Sequence, residues 1–152
     1  MNAAGAAPSA TPSPRRGFEL LGIDHIVLRV RDVLAMQRFY IDVLGATLDR
    51  VQAQIGLVQV RAGRSLIDLV PVDSVIGREG GAAPGAQGHN VDHFCLRVEP
   101  FDGPALVAYL QTHGIDAGSP ARRYGADGTT LSVYLRDPEG NRVELKGPPG
   151  QT

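Results

Sequence analysis

The clearest pattern along the chain is an alternation of polar and apolar residues that occurs twice. Residues 23–30 read Ile-Asp-His-Ile-Val-Leu-Arg-Val, and residues 91–98 read Val-Asp-His-Phe-Cys-Leu-Arg-Val. The aspartate, histidine, leucine, arginine and last valine are identical in the two segments. Alternation of this kind is typical of a strand with one buried face, and its repetition indicates two copies of one structural unit. His25 and His93 take the same place in the two copies.

The first copy continues with a helix and three strands. Apolar residues at helical spacing predict a helix over 33–44, with Asp32 as its N-cap and Gly45 just after its end. Alternating runs then predict strands at about 47–53, 56–61 and 65–71.

The second copy repeats this order. A helix is predicted over 104–113, residues 125–128 form a loop, and strands are predicted over 130–136 and 142–146. Each copy therefore resembles a β-α-β-β-β module with its helix on one face of a four-stranded sheet, which is an α+β fold. The opposite face is called the cup face here, because two such sheets related by a pseudo-twofold axis are expected to curl together and enclose a cup.

The whole chain divides into four predicted segments. Residues 1–16 are rich in Pro, Ala and Ser and are predicted to be a disordered tail. Residues 22–72 form the first βαβββ module and residues 90–147 the second. Residues 73–89 contain many glycines and no periodic pattern, so we interpret them as a linker.

Four polar residues are predicted to meet on the cup face. Strand parity places His25 and His93 on it, together with Asp68 and Glu144 from the last strand of each module. A charged residue inside an apolar strand is costly unless something pairs with it. Two imidazoles and two carboxylates suit a divalent transition metal with open coordination positions, and Fe, Mn, Ni, Co and Zn all remain candidates. The alternative is a cup without metal, in which these side chains bond to one another.

Two arginines occupy equivalent positions on the same face. Arg29 and Arg97 are predicted to bind an anionic group of a substrate through bidentate hydrogen bonds. The alternative is that they pair with Asp68 and Glu144.

Composition narrows the choice of partners. Fifteen basic and sixteen acidic residues give a formal charge of −1, which argues against nucleic acid as a partner. No apolar run approaches the roughly 18 residues needed to span a bilayer, and the N-terminus lacks a signal-peptide pattern. A single cysteine fits a reducing compartment. We therefore expect a cytoplasmic protein whose partner is a small-molecule substrate, with no membrane or nucleic-acid partner.

Three segments carry a resemblance to a known family. They are Ile-Asp-His-Ile at 23–26, Arg-Phe-Tyr-Ile-Asp-Val-Leu-Gly at 38–45, and Leu-Arg-Asp-Pro-Glu-Gly-Asn-Arg-Val-Glu-Leu at 135–145. Over about residues 22–147 the chain resembles the vicinal-oxygen-chelate superfamily, which includes glyoxalase I, extradiol dioxygenases and bleomycin-resistance proteins. The last segment is specific for the superfamily and says little about the reaction.

The resemblance implies a set of metal ligands. The family ligands correspond to His25, His93 and Glu144, and the fourth position, usually Glu or Gln in glyoxalase-type members, corresponds to Asp68. Aspartate is one methylene shorter, so it reaches the metal directly, acts through water, or does not bind. Because a metal-bound carboxylate also serves as the base in glyoxalase-type members, Glu144 and Asp68 are the candidate catalytic residues.

The resemblance also implies the functions to be compared. A glyoxalase I-like lyase or isomerase is favoured. The alternatives are an Fe(II) ring-cleaving dioxygenase and a drug- or metabolite-binding resistance protein without catalysis. Small two-module relatives usually form homodimers, so a homodimer is expected, with the cup formed either within one chain or across the dimer.

Overall fold

The structure is a computed structural model that describes residues 18–150, and it contains two four-stranded sheets. The predicted tail over residues 1–16 lies outside the described residues. In the first sheet the strand order is β1-β4-β3-β2, with β1 and β4 parallel and the other pairs antiparallel. Its strands are β1 (His25–Val30), β2 (Thr47–Gln52), β3 (Leu57–Ala62) and β4 (Ser65–Pro71).

The second sheet repeats this topology in the order β5-β8-β7-β6. Its strands are β5 (His93–Arg97), β6 (Ala121–Gly125), β7 (Gly128–Arg136) and β8 (Arg142–Lys146). The helix α1 (Val33–Arg38) packs on the first sheet and α2 (Gly103–Thr112) on the second. This arrangement confirms the predicted α+β fold of two βαβββ modules. Among the described residues no strand pairing joins the two sheets, so they do not close into one.

Two elements differ from the prediction. The helix expected over 33–44 is α-helical only to Arg38 and continues as a π-helical turn over Phe39–Val43. Strand β6 was implied by the repeat but was not located, because its sequence Ala-Arg-Arg-Tyr-Gly has no apolar alternation. Among the described strands it is an edge strand that pairs with β7 alone, and its three central residues are exposed. Such a strand buries no apolar side chains, so its sequence lacks the apolar alternation from which a strand is predicted.

The helix-facing sides of both sheets share one apolar core. The two helices contribute to it. Tyr40, in the π-helical turn that follows α1, contacts the second sheet, with its ring 6.4 Å from that of Phe94. The fully buried members are Leu28, Val30, Met36, Tyr40, Val60, Leu69, Leu110, Val133 and Val143. No helix among residues 18–150 combines the length and apolar content needed to cross a membrane.

A hydrogen-bond network, buried at one end and partly buried at the other, fixes the modules to each other. The side-chain amide of Asn90 accepts from the backbone N–H of Arg29 and donates to the carbonyl of the same residue, each at 3.0 Å. It also donates to Oδ1 of Asn141, whose own amide donates to Asp137. Asp137 then accepts from the hydroxyl of Tyr40 at 2.9 Å. We call these five residues the module latch.

The segment between the modules is partly fixed by one side chain. The guanidinium of Arg29 donates to the carbonyls of Gly77, Gly80, Gly81 and Ala82 at 2.7–3.1 Å. A Cβ on Gly80 would lie 2.4 Å from Nε of Arg29, so this close approach requires glycine. The predicted linker over 73–89 is therefore ordered in its first half.

Candidate functional site

The first module brings together His25 and Asp68, called the His25 pair here. His25 begins β1, and Asp68 on β4 is the register partner of Val27, two residues further along β1. Nδ1 of His25 lies 2.8 Å from the carboxylate of Asp24. The hydrogen bond with Asp24 raises the pKa of His25, and the charge of Asp68 adds to the effect. Asp68 is buried, and the amide of Gln59 donates to both of its oxygens at 3.0 and 3.1 Å.

The second module brings together His93 and Glu144, called the His93 pair. Nδ1 of His93 lies 2.6 Å from Asp92, and its Nε2 lies 3.5 Å from Oε2 of Glu144. The hydroxyl of Tyr134 donates to the same oxygen at 3.1 Å. Burial raises the pKa of Tyr134, and the charge of Glu144 contributes further. Nζ of Lys146 is 3.9 Å from the other oxygen, Oε1.

The His93 pair has the features of half a metal site. Oε1 of Glu144 is buried and accepts no hydrogen bond from residues 18–150, which is costly for a carboxylate oxygen. In both pairs an aspartate holds Nδ1 of the histidine, which is the arrangement that orients imidazole ligands in metal sites and leaves Nε2 free to coordinate. These observations fit a divalent metal bound by imidazole nitrogen and carboxylate oxygen.

One chain does not assemble the four predicted ligands at one point. Among residues 18–150, no three His, Cys, Asp or Glu side chains lie close enough together to hold an ion. The register agrees with the predicted placement of His25, Asp68, His93 and Glu144 on the cup faces. The chain therefore offers two separate pairs, and ligation of one ion by all four residues stays a prediction.

Both predicted substrate-binding arginines are engaged elsewhere in the described chain. Arg29 bonds to the four backbone carbonyls described above. Arg97 forms an ion pair with Asp127 at 2.8 Å. Neither pairs with Asp68 or Glu144 as the alternative proposed. Their role in substrate binding stays a prediction, although the donors of Arg29 are already used.

Cys95 lies on the cup face as the register partner of Glu144. It is a free cysteine, and the residue is exposed to solvent. Partial burial of the thiol raises its pKa to about 11, and the charge of Glu144 acts in the same direction. The thiol is therefore protonated at neutral pH and is a poor nucleophile.

Sequence reasoning missed the residues that support the two pairs. The repeated Asp-His dipeptide at 24–25 and 92–93 was a signal for the supporting aspartates. Gln59 and Tyr134 are harder to predict from sequence, because their roles depend on the register between neighbouring strands. Gln59 faces Asp68 across β3 and β4, and Tyr134 faces Glu144 across β7 and β8.

Comparisons with known proteins agree with this architecture. Residues 22–145 match the Glyoxalase/Bleomycin resistance protein/Dioxygenase superfamily. The chain is 29% identical over 129 residues to Virulence protein STM3117 of Salmonella typhimurium, covering 81% of each chain. The crystal structure of that protein superposes with a TM-score of 0.70 and 27% identity, covering 86% of this chain and 98% of that one.

A second relative has a named activity. Biphenyl-2,3-diol 1,2-dioxygenase 3 of Rhodococcus globerulus is 32% identical over 124 residues, which are 80% of this chain and 60% of that enzyme. The chain thus spans less than two thirds of the dioxygenase. Lactoylglutathione lyase from Agrobacterium tumefaciens shares the fold with a TM-score of 0.59 at 24% identity, covering 84% of this chain and 94% of that one.

Proposed function

The chain belongs to the Glyoxalase/Bleomycin resistance protein/Dioxygenase superfamily, and from that membership and the His93 pair we propose that it is a divalent-metal-dependent enzyme. We propose a small oxygenated substrate and lyase or isomerase chemistry of the glyoxalase I kind. The observation that carries the proposal is the buried carboxylate of Glu144, whose Oε2 lies 3.5 Å from Nε2 of His93 and whose Oε1 accepts no hydrogen bond from residues 18–150. A bound cation would offset the cost of burying this oxygen, which the ammonium of Lys146 approaches to 3.9 Å without a hydrogen bond. Its proposed location remains the cytoplasm, for which the single cysteine is the support.

The proposed ligands are His25, His93 and Glu144. When bound, a divalent metal supplies a Lewis acid that stabilises negative charge on two adjacent substrate oxygens. The aspartates on Nδ1 fix the ring orientation of both histidines, so that Nε2 is the coordinating atom.

Glu144 is the proposed base. Its Oε2 accepts a hydrogen bond from Tyr134. Its Oε1 lies 3.9 Å from Nζ of Lys146, accepts no hydrogen bond from residues 18–150, and is the oxygen proposed to take a proton from the carbon next to a carbonyl. Both oxygens of Asp68 already accept hydrogen bonds from Gln59. We therefore propose that Asp68 contributes charge or an indirect contact and that Glu144 moves the proton.

A second copy of the chain completes the proposed site. The His25 pair and the His93 pair lie apart within one chain, and their cup faces remain open to solvent, with Val27 46% exposed and Cys95 also exposed. In a homodimer with twofold symmetry, the His25 pair of one subunit would face the His93 pair of the other. Two equivalent sites would result, each containing residues from both subunits.

Mixing two inactive variants tests this arrangement. His25→Ala and His93→Ala each damage both sites of a homodimer, so each alone should lose bound metal and turnover. After unfolding and refolding an equal mixture, half of the dimers should be mixed and each should contain one intact site, which restores about one quarter of the wild-type metal and activity. Metal is measured by elemental analysis and turnover with a 2-oxoaldehyde and a thiol. A mixture no better than the separate variants contradicts a site shared between subunits.

The ring-cleaving dioxygenase is the second candidate. The 32% identity to the biphenyl-2,3-diol dioxygenase favours it. The same refolded protein loaded with Fe(II) and given a catechol would consume oxygen under this alternative and would leave the 2-oxoaldehyde adduct unchanged.

A further inference from the structure

Arg142 lies next to the His93 pair and has an unused donor. It is the register partner of His93 and belongs to the cup face with Glu144. Its guanidinium carbon lies 5.1 Å from the centre of the Tyr134 ring, and Nη2 makes a long contact of 3.4 Å with Asp92. Its Nε is buried and has no hydrogen-bond partner in the part of the chain that the structure describes. A buried donor on a charged group without a partner is rare, and it indicates that an acceptor is supplied from outside the chain.

A cavity of about 560 Å3 lies beside this arginine. Its volume is within the range of small-molecule sites. Apolar and charged side chains both line it, including Phe39, Ile115, Tyr134, Leu135, Arg136 and Arg142. Tyr134 lines the cavity and its hydroxyl donates to Oε2 of Glu144 at 3.1 Å, so the cavity borders the His93 pair.

The other charged groups around the cavity have roles of their own. Arg136 donates to the carbonyl of Gly140 at 2.7 Å. Asp137 is buried and belongs to the module latch. Asp116 is exposed to solvent. Arg142 is therefore the charged group of the cavity that has a buried, unused donor.

We propose that the substrate carries a carboxylate on an apolar body, with the carboxylate bound by Arg142 and the apolar body packed against Tyr134 in the cavity. Arginine matches a carboxylate through parallel N–H donors, and Nε of Arg142 is the donor that the 3.4 Å contact of Nη2 with Asp92 leaves unused. The inference rests on the proposed function, because it names the group that the substrate presents in a cavity bordering the His93 pair. It assigns to Arg142 the anion-binding role predicted for Arg29 and Arg97.

Binding of a matched pair of probes tests the inference. Phenylacetate and the neutral phenylacetamide have nearly the same shape, and each is titrated into the metal-free full chain by calorimetry. Phenylacetate should bind the wild-type chain roughly tenfold more tightly than phenylacetamide, because a charge-assisted hydrogen bond is lost with the amide. Arg142→Gln should remove this difference and leave phenylacetamide unaffected. Arg64→Gln, at an exposed position in the β3–β4 turn, is the control and should retain the difference.

Two further measurements keep the test decisive. The Nε–H signal of Arg142 in a nitrogen-15 spectrum should shift with phenylacetate and not with phenylacetamide. If Arg142→Gln fails to fold, Arg142→Lys replaces it, because lysine keeps the charge and lacks the Nε donor. Arg142→Lys should weaken the binding of phenylacetate at least threefold. Equal binding of the two probes by the wild-type chain overturns the inference, as does an equal loss in the Arg142 and Arg64 variants. The protein is metal-free in this experiment, so its outcome is independent of the mixing experiment on shared metal sites.

Discussion

Replacing Tyr40 with phenylalanine tests the module latch. The Tyr40 side chain is fully buried, and its hydroxyl donates to Oδ2 of Asp137 at 2.9 Å. Tyr40→Phe keeps the ring and removes this bond to a buried carboxyl group. Hydrogen bonds to charged groups contribute about 1.5–3 kcal/mol, so the free energy of unfolding at pH 7 should fall by about 2 kcal/mol.

The same substitution should change the response to alkaline pH. Burial raises the pKa of Tyr40 well above its usual value near 10, and the charge of Asp137 and the hydrogen bond to it add to the effect. Above pH 10 the tyrosine ionises in the unfolded chain but not in the folded one, so the stability from its raised pKa is complete below pH 10 and is lost as the pH rises. At pH 11 the loss is about 1.4 kcal/mol. The difference between wild type and Tyr40→Phe should therefore shrink from about 2 to about 0.6 kcal/mol.

Urea unfolding followed by circular dichroism at pH 7 and pH 11 measures both effects. Tyr124→Phe is the control, because Tyr124 is 85% exposed and should change neither value. A difference between wild type and Tyr40→Phe that is the same at both pH values would show that Tyr40 is not held protonated by the fold.

Two other predictions concern the second module. Because the pKa of Cys95 is about 11 rather than 9, its alkylation by iodoacetamide at pH 8 should be roughly 100-fold slower in the folded chain than in urea; equal rates would contradict the burial and the effect of Glu144. Asp92→Asn should lower the affinity for a divalent metal by about 10- to 100-fold through loss of the support on Nδ1 of His93. Competition with a chelator measures this affinity, and an unchanged value would leave Asp92 without a role in orienting the ligand.

Local patterns in the sequence predicted most of the fold. Alternation over 23–30 and 91–98 predicted β1 and β5, and the burial of Leu28 and Val30 beside the more exposed Val27 agrees with the predicted faces. The period of two is a direct consequence of strand geometry, so parity also placed Asp68 correctly on the cup face.

Features that depend on distant parts of the chain were not predictable in this way. Strand parity predicted a substrate-binding role for Arg29 but gave no sign of its hydrogen bonds to carbonyls about 50 residues away in sequence. The separation of the His25 pair from the His93 pair depends on how the modules pack, which the module latch and the shared core determine. No periodic pattern within one module encodes that packing.

The contacts of Arg29 with the connecting segment also decide where the chain tolerates extra residues. Arg29 holds the segment through residue 82, and Asn90 fixes its far end, while the mostly exposed tip between them is closed by a backbone bridge of Gly85 with Gly88. Lengthening such a tip costs little, about 0.6 kcal/mol for each doubling of loop length. A fused domain or affinity tag inserted there would leave His25 and His93 in place, because Arg29 and Asn90 hold the chain on either side of the insertion.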